Sequence, residues 1–171
     1  MNLRTRSQGF TLIELIMVLV LLGVLAIALV PRINTQDFDA RGFHDETLAL
    51  LRYAQKSAIA QRRTVCVAFG VGSVTLTMAA SAGSTSCPGN ALVGPRGESP
   101  AQVTARAGVS YVAQPAGFYF DALGQPSSGR TMAVTGNGSP VGRTITVEVG
   151  TGYVHAYAFL VQAGWLYAAR H

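Results

Sequence analysis

The segment from Gly9 to Pro31 reads GFTLIELIMVLVLLGVLAIALVP and contains one ionisable side chain, that of Glu14. The 21 residues from Phe10 to Val30 approach the roughly 20 residues that a helix needs to cross a bilayer. A charged side chain in that setting costs a few kcal/mol even on the most lenient scale, and such residues usually have a function. The segment therefore predicts a helix for an apolar environment, and Glu14 requires a compensating partner.

Three interpretations of this segment compete. The first is a secretory signal peptide, with Arg4 and Arg6 as its basic start and a cleavage site at Ala26-Ile27-Ala28. The second is a plain membrane anchor, which would keep the whole segment and place its basic end in the cytoplasm. Neither gives Glu14 a purpose. Cleavage between Gly9 and Phe10 would instead create an α-amino group four residues before Glu14. In a bundle of parallel helices, the Glu14 carboxylate of one subunit can then meet the α-amino group of its neighbour. This ion pair offsets the desolvation cost of Glu14 only when the two helices are in the correct axial register.

The same residues resemble the class III leader junction and N-terminal helix of type IV pilins and type II secretion pseudopilins. The resemblance covers Gly9 to Pro31 almost position by position. It implies cleavage after Gly9 by a prepilin peptidase, N-methylation of Phe10, and neutralisation by Glu14 of the amine of an adjacent subunit in a filament. Residues 1–9 are then a leader peptide, and residues 10–31 are the transmembrane and assembly helix.

Residues 32–63 are predicted to form the second, amphipathic half of the stem helix. Pro31 removes a backbone donor and should kink the helix. Beyond it, apolar or small side chains recur at spacings of three and four, which predicts a stripe that covers a sheet. Gly42 is a candidate interruption of this helix. The stripe comprises Phe43, Thr47, Leu50, Leu51, Ala54, Ala58 and Ile59.

Residues 64–171 are predicted to form a β-rich globular head. Alternating apolar residues and Gly-rich turns predict strands at 64–69, 74–78, 109–112, 117–120, 132–134, 143–149, 153–160 and 165–168. Residues 79–100 and 121–130 read as loops. One long helix followed by strands predicts an α+β fold, in which the N-terminal helix packs against a C-terminal antiparallel β head. Only 12% of residues are charged, and 19 are glycine, which suits a loop-rich β domain on an apolar stem.

The C-terminal part resembles the GspH/FimT-type minor pilins more than the major pilins. The resemblance is carried by FDALGQPSSG at 120–129, by GRTITVEVGTGYVHAY at 142–157 and by the pair Cys66 and Cys87. It implies a head of two sheets laid on the stem helix. If the head is exported, a disulfide between the two cysteines is expected, whereas a cytosolic chain would keep two buried free thiols.

The sequence contains no arrangement typical of catalysis, so we expect no enzyme activity, no cofactor and no metal. His44, His155 and His171 lack the spacing of metal ligands, and we expect each to face solvent or to be hydrogen-bonded. GNGSPVG at 136–142 lacks the lysine of a phosphate loop and predicts a tight turn. The net charge of +5 is a weak sign of nucleic-acid contact. A phosphate-binding patch of Arg106, Arg130, Arg143 and Arg170 is a candidate that we do not favour.

The function predicted from these features is that of a minor pilin or pseudopilin. Such a subunit is processed by the prepilin peptidase and anchored once in the bacterial inner membrane, with its head in the periplasm. It then joins other pilins, through an inner-membrane assembly platform, in a type IV pilus or type II secretion pseudopilus, near the tip. The alternative is a tip subunit that binds a ligand for DNA uptake or adhesion.

Overall fold

The computed structural model describes residues 10–29 and 35–158. The chain divides into two compact units, residues 1–34 and residues 35–171. The predictions that concern Gly9, Pro31, Arg170, His171 and the strand at 165–168 lie outside the described residues.

The first unit contains helix α1, Leu12–Leu29. Leucine, methionine and alanine favour the helix, and apolar residues occupy all of its faces. Within residues 10–29 and 35–158, we find no helix that is both long and apolar enough to span a membrane. The span proposed for residues 10–31 extends past the described part of α1 and stays a prediction.

The second unit begins with helix α2, Thr35–Gln61, which continues through Gly42 without interruption. The expectation of a break at Gly42 is therefore wrong, because one glycine costs only about 1 kcal/mol and the packing of the helix outweighs it. The predicted stripe is buried except for Ile59, which is 48% exposed. The chain turns out of the helix at Arg62, which has a φ of 51°.

Within the described residues, eight strands follow in two antiparallel sheets. Sheet A has the order β3-β2-β1-β5, and sheet B has the order β4-β6-β7-β8. The strands are β1 Val65–Gly70, β2 Ser73–Met78, β3 Gln102–Thr104, β4 Val109–Tyr111, β5 Phe118–Phe120, β6 Arg130–Gly136, β7 Ser139–Val147 and β8 Val154–Ala158. The α+β class and the two-sheet head on a helix are thus confirmed.

The core lies between α2 and the inner faces of both sheets. Alternate residues of each strand point inward, such as Val65 and Val67 of β1 and Ile145 and Val147 of β7, all of which are at most 2% exposed. At the end of β6, α2 approaches closely: a Cβ on Gly136 would lie 2.9 Å from the Ala40 Cβ and 3.0 Å from the Gln36 carbonyl oxygen. The helix can lie this close to the sheet only because residue 136 has no side chain.

Two features of sheet B differ from the expectation. Strand β7 begins at Ser139 instead of Arg143, and residues 137 and 138 form the connection with β6. Asn137 and Gly138 have φ values of 49° and 79°, which suits the two-residue turn that joins twisted antiparallel strands. The tight turn expected in GNGSPVG is therefore present, and it joins β6 and β7 in a hairpin. The sequence pattern had indicated these two strands but not their pairing.

The long loop at 79–100 is held against the head in two ways. Cys66 in β1 and Cys87 in the loop form a disulfide. Leu92 is 3% exposed and belongs to the core, and its carbonyl accepts a hydrogen bond from the amide of Ala101 at 2.6 Å. The loop is therefore anchored at both its middle and its end.

Candidate functional site in the N-terminal helix

The start of α1 is capped by Thr11. The amide of Glu14 donates to the Thr11 hydroxyl at 3.4 Å and to its carbonyl at 3.1 Å, and the amide of Leu15 donates to the same carbonyl at 3.2 Å. Thr11 is thus the N-cap residue, and Glu14 occupies the third helical position, where a carboxylate is favoured by the helix dipole. This role of Thr11 was not predicted from the sequence, although Thr-x-x-Glu is the spacing of a capping box.

The surface of α1 is apolar and exposed on every side. Phe10 is 83% exposed, and each described side chain from Phe10 to Ala26 is exposed. A helix that is apolar all round is normally buried in a protein core or in a membrane. The large apolar residues concerned are Phe10, Leu12, Ile13, Leu15, Ile16, Met17, Val18, Leu19, Val20, Leu21, Leu22, Val24 and Leu25.

Glu14 is the one ionisable group on this surface. In the part of the chain that the structure describes, the ion pairs are His44 with Asp45, Arg106 with Asp39, and His155 with Glu148, and none involves Glu14. The carboxylate therefore remains available to a cation from another molecule. Together, the capped start, the apolar surface and Glu14 form the candidate functional site.

The arginines of the predicted phosphate patch lie on different parts of the head. Arg106 follows β3 and pairs with Asp39 of α2 at 3.3 Å. Arg130 begins β6 and donates to the carbonyls of Ala116, Gly117 and Gly129. Arg130 pairs with Val147 of β7 in the sheet register, and Arg143 lies four residues before Val147. The two arginines are therefore about 13 Å apart along the strand direction. Arg106 and Arg130 are thus each engaged by other groups of the head.

Two histidines are more buried than the sequence indicated. His155 is 7% exposed and lies between the rings of Tyr153 and Tyr157. Its Nε2 lies 2.8 Å from Glu148 Oε1. His44 is 1% exposed, with Nδ1 2.9 Å from Asp45 Oδ1. Hydrogen bonding of both rings was expected, but burial was not.

Among the described residues of the head, one titratable group is strongly perturbed. Burial raises the pKa of Tyr111 to about 12, although the hydrogen bond with Thr47 partly opposes this rise. Tyr111 packs against Phe43 and Phe69 in the core. Among residues 10–29 and 35–158, no three His, Cys, Asp or Glu side chains are grouped as metal ligands.

Comparisons with known proteins are informative for both units. Residues 4–30 match the prokaryotic N-terminal methylation motif. No curated protein is detectably similar in sequence. The fold is similar to that of the type IV minor pilin FimU of Pseudomonas aeruginosa, at 18% identity and a TM-score of 0.50, over 72% of this chain and 91% of that one.

A second solved structure has a similar fold. The minor pseudopilin EpsH from the type 2 secretion system of Vibrio cholerae is 15% identical, with a TM-score of 0.50, over 70% of this chain and 97% of its own. At these identities the likeness concerns the fold alone. The N-terminal motif and the fold of the head are thus two separate observations that agree with each other.

Proposed function

We infer that this chain, which joins a prepilin-type N-terminal motif to a head with the minor-pilin fold, is a minor pilin or pseudopilin. Proteins of this class are structural subunits and not enzymes. The observation that carries the inference is the surface of α1, which is apolar on all sides and carries a single carboxylate near its start.

In the assembled filament, α1 packs against the α1 helices of other pilins. Parallel α1 helices of neighbouring pilins cover the apolar surface of one another, and the bilayer covers it before assembly. Glu14 then meets the α-amino group that cleavage after Gly9 gives to Phe10 of the adjacent subunit. Because an unpaired carboxylate in this setting is costly, only the register that pairs it is stable.

We assign the processing and location steps by the same reasoning. The prepilin peptidase cleaves between Gly9 and Phe10, and Phe10 is N-methylated. The precursor spans the inner membrane once, with Pro31 at the outer end of the span and the head in the periplasm. The Cys66–Cys87 disulfide supports this location, because such bonds persist in oxidising compartments. An inner-membrane assembly platform then incorporates the subunit.

The proposal extends to the position of the subunit within the filament. We place the subunit at or near the tip of a type IV pilus or a type II secretion pseudopilus, and the minor pilin and minor pseudopilin compared above support its assignment as a minor subunit. Capture of DNA by the head is not favoured, since Arg106 is paired with Asp39 and Arg130 is engaged by backbone carbonyls.

Substitution of Glu14 tests the registration role directly. We expect Glu14→Val to be processed normally but to be lost from sheared filaments or cross-linked assemblies. Glu46→Gln, which removes an exposed carboxylate from α2, is the matched control and should assemble like wild type. Normal incorporation of Glu14→Val would overturn the registration argument.

Processing is tested by the mass of the mature chain. We expect it to begin at Phe10 and to carry one methyl group, whereas Gly9→Leu should accumulate as an uncut precursor. A mature chain that begins at Met1 or beyond Ala28 would exclude the pilin assignment.

A further inference from the structure

A cavity of about 240 Å³ opens between α2 and β7 and has no part in the proposed assembly of α1. Arg41, His44 and Asp45 line it from α2, and Val141 and Arg143 line it from β7. Residues three and four apart share one helix face, and residues two apart share one strand face, so both elements present these side chains to the same space. A smaller cavity, lined also by Asp37 and Ser139, adjoins it at Arg41 and Val141.

The two guanidinium groups of the cavity lack acidic partners. In the described part of the chain neither Arg41 nor Arg143 belongs to an ion pair, although Asp37 and Asp45 stand four residues on either side of Arg41. An Asp and an Arg at that spacing on an exposed helix face commonly interact. Here one oxygen of Asp45 is engaged by His44 instead.

His44 adds a polar atom that the protein itself does not satisfy. The Asp45 carboxylate can only accept, so Nδ1 of His44 is the donor in the 2.9 Å contact. Its Nε2 is buried and has no hydrogen-bond partner among the described residues. In the neutral ring this nitrogen is an acceptor, so its partner would be a donor such as a buried water, and it does not itself attract an anion.

We propose that the cavity lined by Arg41, His44 and Arg143 binds a small oxyanion, namely a phosphate or a carboxylate group. The guanidiniums of Arg41 and Arg143 each offer N–H donors in pairs, and the oxygens of a phosphate or a carboxylate can accept two such hydrogen bonds. The carboxylate of Asp45 is engaged by His44. A water molecule takes about 30 Å³ in the liquid, so the cavity has room for an ion of several heavy atoms.

The test is a titration of the full-length protein in non-ionic detergent micelles, with sodium phosphate and sodium acetate in separate arms. Sodium chloride keeps the ionic strength constant. We expect saturable shifts of the amide resonances of residues 41–45 and 141–143, and a shift of the His44 Nε2 resonance. Saturation by phosphate alone assigns a phosphate group, and saturation by acetate alone assigns a carboxylate. Saturation by both supports the shared site.

Exposed arginines provide the matched variants. Arg41→Gln and Arg143→Gln should each weaken binding about tenfold, the usual worth of a charge-assisted hydrogen bond. Arg96→Gln removes an exposed arginine that does not line the cavity and should leave binding unchanged. Absence of saturation in both arms overturns the proposal, and so does equal weakening by all three substitutions.

Discussion

The hydroxyl oxygens of Thr47 in α2 and Tyr111 in β4 lie 3.2 Å apart, in a buried hydrogen bond that joins the helix to sheet B. Tyr111 is 3% exposed. Its neutral phenol is compatible with this position, whereas a phenolate would be poorly solvated there. The stability of the head therefore depends on the protonation of this one side chain at high pH.

We expect alkaline pH to destabilise the head through Tyr111. Its pKa is raised from 10.0 to about 12, so the folded state holds the proton after the unfolded state has lost it, and stability is lost as the pH rises from 10 towards 12. Linkage gives a loss of about 1 kcal/mol between pH 9 and 11. The measurement is the free energy of unfolding in urea at both pH values.

Tyr111→Phe is the control for this effect. This substitution should lower the free energy of unfolding by about 1 kcal/mol at neutral pH, because the Thr47 hydroxyl loses its hydrogen-bond partner. It should also abolish the further loss of stability that Tyr111 causes between pH 9 and 11. If the variant and the wild type lose the same stability between pH 9 and 11, Tyr111 is not the group responsible.

Removal of the disulfide should loosen the anchored loop. Cys66 and Cys87 are 21 residues apart, and a closed loop of that size stabilises by about 3 kcal/mol in the chain-entropy model. We expect the Cys66→Ser, Cys87→Ser double variant to lose this amount in urea unfolding, and reduced wild type to match it. Thiol titration of the denatured, unreduced protein should find no free thiol. Two free thiols would contradict the disulfide.

Local patterns in the sequence were enough to predict the main elements. The apolar segment with Glu14 indicated α1, and the stripe through Phe43, Leu50 and Leu51 indicated α2. The alternation in β7 and β8 indicated both strands. Each of these signals comes from residues close together in the chain, where periodicity reports directly on which face is buried.

Long-range pairing explains what the sequence could not predict. Strand β3 has three residues, too few for an alternation, and it exists because it pairs with β2. The cavity joins Arg41 to Arg143, about 100 positions later, through contacts that only the folded sheet creates. His155 resembled a surface residue because its burial comes from the flanking tyrosines and from Glu148 in the turn that follows β7.

Gln55 ties together two turns at one end of the head. Its Nε2 donates to the carbonyls of Gly124 at 3.1 Å and Thr151 at 3.0 Å. We expect Gln55→Leu to lower the free energy of unfolding by about 1 to 2 kcal/mol, since both carbonyls lose a donor. Gln102→Leu removes only an exposed local bond to Thr104, and should change stability by less than about 0.5 kcal/mol. Equal effects of the two substitutions would argue against the bridging role.

Two glycines should respond in opposite directions to the same substitution. Gly42 lies inside α2 with no atom within 4 Å of the place that an added methyl carbon would take, so Gly42→Ala should stabilise the head by about 0.5 to 1 kcal/mol through helix propensity. Gly136→Ala would instead place its methyl carbon 2.9 Å from the Ala40 Cβ and 3.0 Å from the Gln36 carbonyl oxygen. Backbone and a short side chain cannot easily yield, so we expect a loss of about 1 to 3 kcal/mol. Urea unfolding of both variants tests the close approach of α2 to β6, and a neutral or stabilising Gly136→Ala would show that the helix can move away from the sheet at little cost.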